Sequence, residues 1–108
     1  ELFQPQVLAA AKLHALDEFD LTTTGAWAGE IGMVQMLPKD ILERGVDGDG
    51  DGLILLKTSA ADAILSGARM LQFHGWRAGE PWLAEVTLPE DFDWSLTGLG
   101  TEKPVEAW

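Results

Sequence analysis

Three aspartates on alternate positions, each followed by a glycine, constrain this chain more than any other feature of its sequence. The stretch "GVDGDGDGLI" spans residues 45–54 and holds Asp47, Asp49 and Asp51. Carboxylates this close together repel one another strongly unless a cation lies between them. Glycines at the intervening positions let the backbone wrap tightly around such a cation. The stretch therefore predicts a tight loop around a divalent metal ion.

The spacing of the oxygen atoms matches that of a calcium-binding loop. Such a loop binds the ion through side chains at its first, third and fifth positions and a backbone carbonyl at its seventh. Those places are held here by Asp47, Asp49, Asp51 and Leu53. Thr58 stands where the standard loop has a bidentate glutamate, and Asp62, one helical turn later, is the candidate for the closing carboxylate. The alternative is an empty acidic turn, and magnesium suits so many carboxylates less well than calcium.

Local signals predict a mainly α chain. Apolar spacing predicts a first helix over about residues 4–17, Pro38 opens a short second helix that Gly45 caps, and a third covers about residues 59–73. Ser59 and Asp62 form a capping-box variant at the start of the third helix. Its apolar face is predicted to consist of Ala60, Ala63, Ile64, Gly67, Ala68 and Leu71. The alternation in "WLAEVTLP", residues 82–89, predicts one short strand.

Composition excludes several classes of function. The net charge of −11 argues against nucleic-acid binding and favours cations or neutral partners. The absence of cysteine excludes disulfides, zinc-thiolate sites and thiol catalysis. No apolar run is long enough to predict a transmembrane segment, and no signal peptide is visible. The first residue is Glu1 rather than Met, which suggests a processed or truncated product.

A second unusual stretch, "GAWAGEIGMVQMLPKDI" at residues 25–41, combines small residues with an aromatic and an amide side chain. The glycines and alanines around Trp27 allow the backbone to approach a ligand closely, and Gln35 offers both a donor and an acceptor. An aromatic surface beside an amide suits a sugar. Helix-packing glycines, a core tryptophan and an internally bonded glutamine are the alternative. The pattern alone leaves both readings open.

Three motifs together resemble the lytic murein transglycosylase B family: "GAWAGEIGMVQMLP", "GVDGDGDG" and "SAADAILSGARMLQFHGWRAGEPW". Members of that family carry a G-S-x-A-G-x-x-G-x-x-Q-F-x-P segment, one EF-hand-like calcium loop and an S-x-x-D-A helix that ends in H-G-W. The resemblance covers essentially the whole chain. It implies a lysozyme-like (α+β) catalytic domain that acts on the glycan strands of peptidoglycan in the periplasm or cell envelope of a bacterium.

The resemblance also implies a chemistry. The family cleaves the bond between N-acetylmuramic acid and N-acetylglucosamine and leaves a 1,6-anhydro sugar, with a single glutamate acting as acid and then as base. That glutamate lies in a G-V-E-T-x-x-G stretch upstream of the A-G-x-x-G segment, and no such stretch occurs here. The chain is therefore expected to be the latter part of the catalytic domain, with the N-terminal part of the same enzyme as its partner. A noncatalytic calcium-stabilised module that binds peptidoglycan is the alternative, and a dockerin-like interaction module ranks lower because only one loop is present.

The resemblance assigns residues within one continuous piece. Residues 1–24 form a helix and connector, 25–38 the glycan-cleft segment, 45–62 the calcium loop, 59–75 a helix, and 76–108 a turn, strand and tail. We call residues 25–38 the cleft segment and residues 45–62 the aspartate loop.

Gln35 falls on the family's glutamine and is the predicted substrate contact, with Trp27 beside it, whereas Ala26 replaces the family's serine. Asp62 falls on the family's closing aspartate, and Glu30 is a lesser candidate as a replacement acid. The other tryptophans, Trp76, Trp82, Trp94 and Trp108, are predicted to be packing residues.

Overall fold

The computed structural model describes residues 3–104, and the chain divides into two compact units, Glu1–Ala78 and Gly79–Trp108. The first unit contains three helices, which are α1 (Gln4–Ala15), α2 (Pro38–Arg44) and α3 (Ala60–Phe73). Helix α2 packs against both α1 and α3. The second unit contains a short 3-10 helix, Trp94–Leu96, within its described residues. The structure is thus mainly α, as predicted.

The helices begin where the sequence predicts. Proline lies in the first turn of α1 and of α2, where its missing N–H is not needed. At α3 the Ser59 hydroxyl accepts a hydrogen bond from the Asp62 amide at 3.2 Å, which confirms Ser59 as the cap. The Asp62 carboxylate does not complete a capping box, because both of its oxygens bond to the aspartate loop instead.

Helix α1 ends two residues earlier than predicted, at Ala15. Asp17 adopts a left-handed backbone with φ of 62°, which terminates the helix. The carbonyl of Leu13 then accepts the Glu18 amide at 3.0 Å. His14, an exposed side chain of α1, lies with its Nδ1 2.7 Å from the carbonyl of Phe19 and holds the chain as it leaves the helix.

One buried cluster joins the three helices to the loops between them. Its members are Leu13, Phe19, Ile31, Met36, Ile41, Leu56 and Ala63. The members come from all parts of the first unit: Ile31 and Met36 anchor the cleft segment, and Leu56 anchors the later part of the aspartate loop. Burial of these side chains fixes the two segments relative to the same helices.

The buried face of α3 differs from the predicted apolar stripe. The buried residues of the helix are Asp62, Ala63 and Ser66, whereas Ile64 and Leu71 are exposed. Two of the three buried side chains are polar, because they bond to the backbone of the aspartate loop. The helix therefore serves as a support for the loop as much as a wall of the core.

The strand predicted at residues 82–89 is wrong. This stretch has no strand structure, and in the part of the chain that the structure describes the β pairing consists of one isolated antiparallel bridge, Ile31 with Met36. Alternating hydrophobicity does not make a strand unless a second segment supplies ladder hydrogen bonds. Pro81 and Pro89 bound the stretch and have no N–H to give to a ladder.

The second unit holds few contacts of its own. Asp93 caps the 3-10 helix by accepting the Ser95 amide at 2.9 Å, and the rings of Phe92 and Trp94 meet edge to face. Trp76 in the first unit and Trp82 and Trp94 in the second are all exposed, so none of the three is a core residue within this chain, although the Trp94 ring contacts Phe92. Trp108 lies outside the described residues. Across residues 3–104 no helix combines the length and apolar character needed to cross a membrane.

Candidate functional site

Asp62, the last residue of the aspartate loop, holds the backbone of the loop through its carboxylate. Its side chain is 0% exposed, and its two oxygens accept the amides of Gly48 at 2.8 Å and Leu55 at 2.7 Å. Burial raises the pKa of Asp62, but hydrogen bonds from the Leu55 and Gly48 amides, from the Ser59 side chain and from the Asp49 amide together outweigh it, so that the pKa lies below its ordinary value. The carboxylate is therefore charged at neutral pH and ties the backbone at Gly48 and at Leu55 to α3.

The remaining aspartates shape the loop from within. Asp47 accepts the amides of Gly50 at 2.6 Å and Gly52 at 2.9 Å. Asp49 accepts the Ser59 hydroxyl at 2.7 Å, and Asp51 accepts the Leu53 amide at 2.8 Å. The negative charge of each carboxylate is thus stabilised by hydrogen-bond donors of the loop itself.

Glycine at position 48 is required by contact with α3. A Cβ there would lie 2.6 Å from the backbone carbon and oxygen of Ala61. This close approach brings the loop onto the first turn of the helix, where Asp62 lies. The glycine that the sequence offers as a flexible spacer is therefore needed for packing.

The loop brings together three of the predicted metal ligands. One oxygen from each of Asp47, Asp49 and Asp62 lies within 4.8 Å of the other two. Asp51 is outside this group, and Leu53 donates its amide to Asp51. An all-carboxylate set of oxygens fits a hard cation such as calcium. The metal-binding roles of all five predicted ligands remain predictions, namely those of Asp47, Asp49, Asp51, Asp62 and the Leu53 carbonyl.

Two side chains that the sequence did not single out hold the loop in place. Ser66 is fully buried, and its hydroxyl accepts the Val46 amide at 2.9 Å. Glu18, just after α1, accepts the Ile54 amide. Ser66 lies four residues after Asp62 on the same face of α3, a spacing that offers a signal in the sequence. Glu18 has no such signal because its partner is 36 residues away.

Residues 54–57, the part of the aspartate loop that we call the strap, connect the aspartates of the loop to the cleft segment. The Leu55 amide bonds to Asp62, and the next carbonyl, that of Leu56, accepts the Met33 amide at 2.9 Å. The Lys57 ammonium donates to the carbonyl and the hydroxyl of Thr24, at 3.2 and 3.1 Å. The strap is therefore bonded to Asp62 on one side, and to the cleft segment and Thr24 on the other.

The cleft segment folds into a tight turn closed by the Ile31–Met36 bridge, with hydrogen bonds of 2.8 and 3.1 Å. Gly32 has φ of +80°, and a Cβ on it would lie 2.5 Å from the Cβ of Leu56. Gln35 also has a left-handed backbone, with φ of 51°, and its side-chain Nε2 donates to the Gly32 carbonyl at 2.8 Å. The turn holds this exposed amide side chain in one place on the surface.

Trp27 is a surface residue of the cleft segment. Its side chain is 94% exposed, which rules out a core position within this chain. It lines a groove of about 390 Å³ together with Phe3, Gln6, Val7 and Ala10 of the α1 region. The aromatic ring is therefore available to a ligand or to another protein segment.

Glu30 lies on the wall of a separate pocket of about 410 Å³, beside Gln35 and Lys57. Its backbone carbonyl accepts the Ala26 amide at 2.8 Å. Its side-chain Oε2 is buried and has no hydrogen-bond partner within residues 3–104. The structure thus brings Glu30 and Gln35 to one pocket, which Trp27 does not line.

Comparison with known proteins places these features in a family. The transglycosylase SLT domain matches residues 1–108. The chain is similar to SltB3 from Pseudomonas aeruginosa, solved in complex with NAG-anhNAM-pentapeptide, with 40% identity and a TM-score of 0.82. The match covers 95% of this chain and 28% of that chain. Among curated protein sequences no significant match is found.

Two further crystal structures support the assignment. SltB3 from P. aeruginosa in complex with NAG-NAM-pentapeptide is 40% identical, with a TM-score of 0.81, over 95% of this chain and 28% of that chain. The soluble lytic transglycosylase SltB1 from the same organism is 35% identical, with a TM-score of 0.71, over 75% of this chain and 28% of that chain. The chain therefore spans a little over a quarter of these solved relatives.

Proposed function

The chain belongs to the transglycosylase SLT domain family, and on that premise we propose that it forms the latter, glycan-binding part of a lytic transglycosylase. The substrate is the glycan strand of peptidoglycan. The reaction is cleavage of the MurNAc–GlcNAc bond with formation of 1,6-anhydro-MurNAc. The two structures of SltB3 in complex with NAG-anhNAM-pentapeptide and with NAG-NAM-pentapeptide support this substrate class.

The cleft segment carries the proposal. Gln35 is exposed and fixed by its bond to the Gly32 carbonyl, so that its side-chain oxygen is left to accept a sugar hydroxyl or amide N–H. Trp27, exposed on the same segment, offers an aromatic face against which a sugar ring stacks. A fixed amide and an exposed aromatic ring suit the binding of a neutral saccharide by a chain with a net charge of −11.

The catalytic glutamate is expected upstream, in a segment that these 108 residues do not contain. Its role is to protonate the leaving oxygen and then to accept a proton from the attacking 6-hydroxyl of muramic acid, so that no water enters the bond. Residues of the present chain bind and orient the strand. The site of action is the bacterial cell envelope, in the periplasm.

Calcium is the proposed structural cofactor. Asp47, Asp49 and Asp62 would hold the ion through the oxygens that already lie within 4.8 Å of one another, and Asp51 and the Leu53 carbonyl are the further proposed ligands. The ion supplies positive charge that relieves the repulsion among the carboxylates. Asp62 also orders the strap through Leu55, so that the site supports the cleft segment.

Binding and release from purified sacculi test the function. The chain alone is expected to bind sacculi without releasing anhydromuropeptides, and release is expected when it is joined to the upstream segment of its parent protein. Gln35→Ala is expected to weaken binding, whereas Gln72→Ala, which alters an exposed glutamine of α3, serves as the matched control. Failure of the wild-type chain to bind sacculi would contradict the proposal. Binding without release by the joined protein would favour the noncatalytic calcium-stabilised module.

A further inference from the structure

The side chain of Glu30 is held in position by its backbone but lacks a partner for its buried oxygen. The Glu30 carbonyl accepts the Ala26 amide at 2.8 Å, and the next residue, Ile31, pairs with Met36 and is buried in the core. The backbone therefore cannot carry the side chain elsewhere without breaking these contacts. Within residues 3–104, the Glu30 Oε2 is the one buried side-chain polar atom left without a hydrogen-bond partner. Such an atom lowers stability unless another molecule or segment supplies a donor.

The pocket beside Glu30 contains few donors from the protein. The Lys57 ammonium already donates to the Thr24 carbonyl and hydroxyl. No ion pair between Lys57 and Glu30 occurs among the described residues. One N–H of the Gln35 amide is donated to the Gly32 carbonyl, which fixes the side chain and leaves its oxygen as an acceptor. The pocket therefore offers acceptors, from Glu30 and Gln35, to a ligand that brings its own donors.

The charges at the pocket favour a neutral ligand. The Lys57 ammonium would repel a cation in the pocket. The Glu30 carboxylate, on a chain with a net charge of −11, would repel an anion. A saccharide carries no charge on its hydroxyl and acetamido groups, and these are hydrogen-bond donors. The pocket volume of about 410 Å³ lies within the range of small-molecule sites.

We propose that Glu30 is a substrate-binding residue that accepts a hydrogen bond from a hydroxyl or acetamido N–H of an N-acetylhexosamine bound beside Gln35. The inference rests on the proposed function and names a contact that the family motif does not supply. The terminal torsion of a glutamate side chain is soft, so that the carboxylate can rotate toward the pocket. The buried oxygen breaks no protein hydrogen bond when it turns. The role is that of an acceptor and not of a proton donor.

Binding of N,N′,N″-triacetylchitotriose to the 108-residue chain tests the contact, measured by calorimetry or NMR titration. Glu30→Met removes the acceptor at similar size and is expected to lower affinity about tenfold or more. Glu30→Gln keeps one oxygen without the charge and is expected to have a smaller effect. Glu85→Gln makes the same charge change at an exposed glutamate outside the pocket and is expected to bind as the wild type does. Cellotriose, which lacks acetamido groups, distinguishes an N–H donor from a hydroxyl donor.

The stability of the same variants separates binding from a structural role. Because Oε2 has no hydrogen-bond partner among residues 3–104, Glu30→Met and Glu30→Gln are expected to melt at or above the wild-type temperature. Wild-type binding with no loss in either variant would overturn the inference and leave the proposed function standing. Absence of wild-type binding to any saccharide would overturn both. In the protein joined to its upstream segment, loss of kcat in Glu30→Gln at unchanged KM would make Glu30 a proton donor and would also overturn the binding role.

Discussion

The aspartate loop and the cleft segment are both glycine-rich turns, yet they treat their polar side chains in opposite ways. In the loop, Asp47, Asp51 and Asp62 all accept hydrogen bonds from backbone amides of the loop itself. In the cleft segment, Glu30 keeps a buried oxygen that has no partner among residues 3–104, and Gln35 is exposed, with its amide nitrogen bonded to the Gly32 carbonyl and its oxygen left for a ligand. Polar groups that bond inward give a segment its own stability. Polar groups left over give it the capacity to bind.

The strap makes the two regions dependent on each other. Its Leu55 amide is held by Asp62, and its Leu56 packs against Gly32 and accepts the Met33 amide. The loop is therefore the support on which the cleft segment rests. Substitutions in the loop are therefore expected to lower the stability of the fold, and substitutions of the exposed side chains of the cleft segment are expected to lower the affinity for ligand.

Replacing Asp62 is expected to have the largest effect. Asp62→Ala leaves the half-buried amides of Gly48 and Leu55 without acceptors, which is expected to lower the free energy of unfolding by about 3–5 kcal/mol. Asp62→Asn keeps one oxygen acceptor and is expected to lose less. Urea denaturation measures the difference, with Asp93→Ala, at the exposed cap of the 3-10 helix, as the control. A loss for Asp62→Ala no larger than that of the control would show that the loop does not depend on this carboxylate.

Gly32 tests the contact between the strap and the cleft segment. In Gly32→Ala the new Cβ would lie 2.5 Å from the Leu56 Cβ on a backbone with φ of +80°, and we expect a loss of about 3 kcal/mol from crowding and strain together. Gly29→Ala, with φ of +93° but open space around the Cβ, isolates the strain and is expected to lose about 1–2 kcal/mol. Equal losses in the two variants, measured by urea denaturation, would mean that the strap does not press on the cleft segment.

Calcium is expected to stabilise the loop and not merely to bind to its surface. Adding calcium to about a hundredfold above its dissociation constant is expected to raise the free energy of unfolding by about 2–3 kcal/mol, and chelator removes the gain. Asp47→Asn is expected to abolish the response, whereas Asp91→Asn, outside the loop, preserves it. Thermal melts with calcium, magnesium and chelator measure the effect. An identical melting temperature with calcium and with chelator would leave an empty acidic turn as the correct interpretation.

The sequence predicted those parts of the structure that local chemistry determines. Prolines marked the starts of α1 and α2, Ser59 capped α3, and the aspartate spacing predicted a tight loop. The strand at residues 82–89 failed because a strand needs a partner elsewhere in the chain. The prediction that Ile64 and Leu71 lie on the buried face of α3 was wrong, because the polar face of the helix packs against the loop and is buried instead.

The links that join the site could not be predicted from local pattern. The Glu18–Ile54 bond spans 36 residues, and the Leu56 contact with Gly32 joins two separate motifs. The unpartnered oxygen of Glu30 is a property of the folded environment and has no signature in the neighbouring residues. The residue pattern of the cleft segment singled out Gln35 and Trp27, the family resemblance assigned them to the substrate, and the structure adds that both are exposed.

Gln35 gives the smallest expected change in stability and the clearest test of the comparison. Its left-handed φ of 51° disfavours a side chain, so that Gln35→Gly is expected to raise the free energy of unfolding by up to about 1 kcal/mol, offset in part by loss of the exposed bond to Gly32. The same change removes the amide that would contact the glycan. Affinity for sacculi is therefore expected to fall while stability holds or rises.

Asp17→Gly is the matched control, because Asp17 is the other non-glycine residue with a positive φ in the described part of the chain, at 62°. It lies just after α1, where glycine commonly ends a helix, and the substitution is expected to raise stability by a similar amount. Sacculus binding should be unchanged, because Asp17 is not part of the cleft segment. If the two variants gain stability alike and only Gln35→Gly loses binding, then the strain at Gln35 serves the ligand. If both retain binding, the left-handed turn is a feature of the fold alone.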